Sequence, residues 1–143
     1  MRVAVVFFSK QNRQKLVDLS KALVRGIESR GHQVDLIDGD RDFGKKLTIY
    51  KYIAMGTETL GFFGAIPEHI SRFLGQAGAV AGKDAFAFVT KAFFGAQKAS
   101  IRLMASMEHE GMFVRFSSVL ESTDHAEAVG ARLHITKDDV VSE

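Results

Sequence analysis

A basic hexapeptide and two aromatic doublets hold most of the chemistry available to this sequence. Ser9-Lys10-Gln11-Asn12-Arg13-Gln14 follows an apolar run, Val3 to Phe8. It precedes Leu16, Leu19, Leu23 and Ile27, whose spacings of 3, 4 and 4 mark one stripe of an amphipathic helix. The hexapeptide therefore opens a helix, where unpaired backbone N–H groups and the helix dipole attract an anion such as phosphate. Lys10, Arg13 and Lys15 add positive charge, Ser9 adds a hydroxyl, and no acidic residue falls between positions 9 and 17. Cations at a helix N-terminus oppose the dipole, so an anion there would relieve a local cost. Asn12 suits the N-cap and tolerates the left-handed backbone that glycine would otherwise supply.

The aromatic pairs are Phe62-Phe63 and Phe93-Phe94, drawn from twelve phenylalanines in a chain without tryptophan. Each lies beside a glycine, Gly61 and Gly64 or Gly95, which allows a planar ligand to approach the backbone closely. One member of each doublet is expected to pack inward and at least one to face a ligand. Left empty, the same residues would form an apolar patch fit for a partner protein or a second copy of the chain. Glu58 is the one acid in the segments 9–14, 57–64 and 91–96, and it is expected to point to water.

Other chemistries lack their residues. The chain has no cysteine, which removes disulfides, thiolate metal sites and thiol nucleophiles. The histidines at 32, 69, 109, 125 and 134 show no metal-ligand spacing, and Ser9 has no G-x-S-x-G context. Net charge is +2, with 11 Lys/Arg against 6 Asp/Glu in residues 1–51 and 8 against 11 in the remainder. No Lys/Arg-rich run accompanies that imbalance, so nucleic acid is not an expected partner. The first apolar run is too short for a signal peptide or a membrane span, so the expectation is a cytoplasmic protein with no membrane partner.

The elements that position these residues alternate. Val3–Phe8 reads as a strand covered on both faces, and Arg30-Gly31 ends the first helix. Val34–Ile37 is a second strand, with no more than a turn over residues 39–46. A third strand spans Tyr50–Met55, and Pro67 opens a helix with Ile70, Phe73 and Leu74 inward. Asp84–Thr90 is a fourth strand, and a helix over 97–110 is expected to bury Ile101, Met104 and Ala105. Met112–Phe116 is a fifth strand, and Asp124 with Glu127 resembles a capping pair for a helix through Leu133. Residues 136–143 read as a frayed polar tail on a single domain, 1–143. The fold class is α/β: a three-layer open sheet of five parallel strands with helices on both faces. Ligands of such sheets bind at the carboxyl ends of the strands, where 9–14, 57–64 and 91–96 gather.

The end of the first strand lacks G-x-G-x-x-G and the P-loop pattern, and it has no acidic pair. The stretch from Tyr50 to Thr57, its continuation Gly61 to Leu74, and Gly82-Lys83 before the fourth strand resemble the flavodoxin-like family over nearly the whole chain. That resemblance implies strand order 2-1-3-4-5, a flavin nucleotide (FMN) as cofactor, a redox partner protein, and electron transfer as carrier or oxidoreductase component. No residue need be catalytic, because the flavin carries the chemistry. The family's [ST]-x-[ST]-G-x-T loop maps onto Ser9, with Gln11, Asn12 and Gln14 standing in place of two hydroxyls and the glycine. The implied FMN contacts are Ser9, Lys10, Gln11, Asn12, Arg13 and Gln14 for the phosphate. For the ring they are Thr57, Glu58, Thr59, Leu60, Gly61 and Phe62 on one side and Lys91, Phe93, Phe94 and Gly95 on the other. A flavodoxin-fold interaction module that has lost FMN is the alternative reading.

Overall fold

A computed structural model describes residues 1–135, so the tail expected at 136–143 lies outside the described residues. The strands are β1 (Arg2–Phe8), β2 (Gln33–Asp38), β3 (Tyr52–Thr57), β4 (Asp84–Thr90) and β5 (Phe113–Leu120). The helices are α1 (Arg13–Glu28), α2 (His69–Gly75), α3 (Ala96–His109) and α4 (Thr123–Arg132). All neighbouring strands run parallel in the order β2-β1-β3-β4-β5. Parallel neighbours need crossovers, and the helices that make them cover both faces.

Side-chain alternation divides the interior into two cores. Ala4, Val6 and Phe8 join Ile53, Met55, Ala87 and Val89 beneath α2 and α3. Val3, Val5 and Phe7 join Ala54, Phe86 and Phe88 beneath α1 and α4. The two helices on that second face cross closely because Gly26 and Gly130 bring backbone against backbone. A Cβ on Gly26 would collide with the carbonyl of Glu127, and one on Gly130 with the carbonyl of Leu23. Gly56 opposes Phe88 in the β3–β4 register, and the ring occupies the space a side chain would fill.

Three local expectations are corrected. The α3 stripe consists of Ala99, Ser100, Leu103 and Met107, whereas Ile101 and Ala105 are exposed and Met104 is half-buried. The 60s loop presses on the start of α3, where a Cβ on Gly64 would meet Lys98 Cβ and the Ala99 nitrogen. The cap of α4 is Ser122, whose hydroxyl accepts from the His125 N–H at 3.1 Å, so Asp124 lies inside the helix. The third and fifth strands also begin later than expected, at Tyr52 and Phe113.

Candidate functional site

The parallel register decides which residues meet at the carboxyl edge of the sheet. Phe8 pairs with Thr57 on one side of β1, while Phe7 pairs with Asp38 on the other. The segment after β1 therefore emerges between the ends of β3 and β2. Each of those ends carries acids.

Glu58 turns into this gap and is only 4% exposed. Its carboxylate accepts hydrogen bonds from the backbone N–H of Lys10 at 2.5 Å, of Gln11 at 2.7 Å, and of Asn12. The expectation that Glu58 faces water is thus corrected: it sits on the amides that open α1. Burial by itself would raise the pKa of this carboxyl. The bonds from Lys10, Gln11 and Asn12 outweigh that cost and hold it below its ordinary value of 4.5. The Ser9 hydroxyl adds a favourable dipole without reaching hydrogen-bond geometry, and its oxygen is buried.

A second carboxylate completes the pattern. The Ser9 N–H donates to Asp40 Oδ2 at 2.8 Å, so four successive amides, from Ser9 through Asn12, are bound by internal acids. Arg13 donates to Asp38, with its other guanidinium nitrogen 3.6 Å from Asp40. His69 Nε2 lies 2.5 Å from Asp40 Oδ1. The charge that Arg13 brings to this loop is therefore committed to acids after β2. Asn12 occupies the N-cap position of α1 but makes no side-chain cap, and its φ of −111° is not left-handed. The dipole expected to recruit a ligand is instead answered from within the chain.

The other two loops remain open. Thr57 is buried and donates from its hydroxyl to the Phe8 carbonyl at 2.9 Å, which fastens β3 to β1. Thr59 reaches across to β4, its hydroxyl donating to the Thr90 carbonyl at 3.1 Å. Reciprocal backbone bonds of 2.9 and 3.0 Å between Leu60 and Ala65 close a tight loop. Phe62 and Phe63 project from its tip. Gly64 and Gly95 both have positive φ, and a Cβ on Gly95 would come within 2.6 Å of the Gly64 nitrogen. Glycine here serves loop-to-loop packing.

All four phenylalanines stand out from the surface, at 70% for Phe62, 74% for Phe63, 93% for Phe93 and 53% for Phe94. The expectation that one of each doublet packs inward is corrected. The core positions beneath them are already filled by the strands, and the Leu60–Ala65 closure turns the tip away. Phe62, Phe94, Phe93, Thr59, Gly61 and Ala92 line an open cleft of about 240 Å³. The Phe62 and Phe94 rings lie 5.2 Å apart at 46°, and Phe93 contacts Phe94 at 5.0 Å. Leu60 belongs to the loop closure, while Lys91 is exposed and 3.6 Å from Glu121. Gln14 is spent on Asp18 at 2.8 Å. The residues expected at one edge are thus brought to that edge, where the aromatic rings are exposed while the backbone amides of the first loop are already bonded.

No protein-family model matches the sequence, and no curated protein does. Solved structures do. A flavodoxin from the domain Archaea superposes with a TM-score of 0.73 at 21% identity, covering 92% of this chain and 94% of that one. The fold is that of the flavodoxins. Oxidised flavodoxin 1 from Bacillus cereus gives a TM-score of 0.71 at 18% identity, with 92% and 95% of the two chains covered. The flavodiiron protein from Giardia intestinalis gives 0.64 at 17% identity over 91% of this chain, which spans 34% of that larger protein. The flavodoxin-like strand order places the acids that sequence reasoning missed. Asp38-Gly39-Asp40 ends the strand on one flank of β1, and Glu58 follows the strand on the other. That order sets both beside the segment after β1, and the register then decides which amides they meet.

Proposed function

We propose that this chain is a flavodoxin-type electron carrier that binds FMN, with the ring system in the cleft between the Phe62 and Phe93-Phe94 loops. The observation that carries this reading is the cleft itself: exposed aromatic rings and a glycine at the carboxyl edge of a flavodoxin-fold sheet. Soluble proteins rarely expose such rings together unless something binds them. Aromatic faces stack on planar ligands, with offset arrangements favoured by the ring quadrupole.

The residues fit the two ends of FMN unequally. The apolar cleft suits the ring. The amides of residues 10–12, the seat expected for the phosphate, carry the Glu58 carboxylate. When bound, the flavin would supply the redox chemistry, and the polypeptide would orient the ring and limit its access to water. A redox partner protein would reach the ring over the same exposed edge.

The test is direct. Protein purified under native conditions is expected to be yellow or to take up added FMN at micromolar concentration, releasing flavin on denaturation. A colourless preparation that takes up no added flavin would contradict the reading.

A further inference from the structure

We infer that Glu58 is an internal competitor for the phosphate of the flavin nucleotide, so that this site recognises the ring and gains no affinity from the phosphate. The inference rests on the flavin reading above. It concerns which part of the ligand the site rewards.

The geometry is that of an anion site already filled. Glu58 is almost fully buried, and its oxygens accept from three successive N–H groups at the N-terminus of α1. This is the arrangement by which backbone amides and the helix dipole hold a phosphate, with a carboxylate in its place. A phosphate could enter only if Glu58 left. The departing carboxylate would lose its charge-assisted bonds and remain one residue beyond the end of β3, beside the incoming dianion. The adjoining amide and the arginine are already engaged by other acids. The Ser9 amide serves Asp40, and Arg13 serves Asp38 and Asp40. The Ser9 hydroxyl oxygen is buried with no hydrogen-bond partner among the described residues. A phosphate exchanged for Glu58 would inherit the same three amides and meet Arg13 already paired.

The aromatic cleft has no such occupant. It draws on Thr59, Gly61, Phe62 and residues 92–94, none of which bonds to Glu58 or Asp40. The two halves of the ligand therefore meet different conditions at one sheet edge. Removing Glu58 should change the affinity for the phosphate and leave that for the ring alone.

The experiment titrates FMN and riboflavin, which shares the ring and lacks the phosphate, into the native chain and the Glu58→Ala, Glu58→Gln and Asp18→Asn variants. In the native protein the two dissociation constants are expected within about threefold of each other. In Glu58→Ala, FMN is expected to bind about tenfold tighter while riboflavin changes less than about threefold, a ratio that reads the phosphate term alone. Glu58→Gln keeps a neutral acceptor on the amides and is expected to shift the ratio in the same direction by less, which covers a poorly folded alanine variant. Asp18→Asn removes an exposed charge from the same helix and is expected to leave the ratio unchanged. An equal gain in that variant would reduce the effect to net charge and overturn the inference.

Inorganic phosphate supplies an arm independent of the ring. It is expected to raise the melting temperature of Glu58→Ala and not that of the native chain, since a ligand bound only to the folded state stabilises it. An FMN-to-riboflavin ratio unmoved by both Glu58 substitutions would overturn the competitor role, with flavin binding itself intact. Binding of neither flavin to any of the proteins would overturn the flavin reading, and with it this inference about the ligand.

Discussion

The two ends of the carboxyl edge use the same backbone resource in opposite ways. At the first loop, four consecutive amides and an arginine are fully engaged by Glu58, Asp38 and Asp40. At the second and third loops, backbone bonds close the Leu60–Ala65 turn and glycine contacts hold it against α3, leaving the phenylalanines outside. One region has bound its backbone amides and its arginine internally and is closed, with the Ser9 hydroxyl buried and unpartnered among the described residues. The other has satisfied its polar groups and left its apolar groups unsatisfied. A polar site can be silenced by a single carboxylate of the right reach, whereas an aromatic surface is covered only by a partner or ligand of comparable area.

The contrast can be broken most severely from the open side. Replacing Phe62 and Phe94 together by alanine is expected to weaken flavin binding at least about thirtyfold, from the loss of stacking worth roughly 1–3 kcal/mol per ring. Both rings are largely exposed, so the urea midpoint should hardly move. Next comes Gly64→Ala, which places a side chain at φ +72° and against the Gly95 carbonyl. A cost of about 1–3 kcal/mol is expected in chemical denaturation, together with weaker flavin binding as the two loops separate.

Smaller effects sharpen the closed side. Glu58→Gln keeps the shape but removes the charge from three hydrogen bonds, with an expected loss of about 1–2 kcal/mol in urea unfolding at neutral pH. The pH dependence follows from the direction of the shift. The folded carboxyl titrates below the unfolded value of 4.5, so its contribution is complete above that value. It declines as acid is added through the folded pKa and is absent below both. The native chain should therefore lose more stability than Glu58→Gln as the pH falls below about 4.5, measured as the difference between their melting temperatures. Smallest of all is Phe93→Ala, at the most exposed of the four rings, expected to change stability by less than about 0.5 kcal/mol.

These two regions also differ in how far they were legible in the sequence. The strands and the α1 stripe follow from period and composition, and Asp84–Thr90 was placed to the residue. The three loops of the site were assembled correctly because strand ends converge in any sheet of this type. The fate of Glu58 was not legible. A lone acid after a strand usually faces water, and only the Phe8–Thr57 register brings this one against the amides of residues 10–12. Asp40 was likewise read as part of a turn and Asp38 was given no role, although both flank β1 once the strand order is known. Periodicity describes one element at a time, and these contacts depend on register between elements.

The most direct test of an anion seat filled from within is a pH titration of the Glu58 side-chain carboxyl by carbon-13 NMR, with the amide signals of Lys10, Gln11 and Asn12 followed in the same samples. A midpoint below the ordinary 4.5, with all three amides shifting along the same curve, is the result expected of a carboxylate held on those donors. A midpoint at or above 4.5, or amides indifferent to that titration, would show the first loop open and contradict the account.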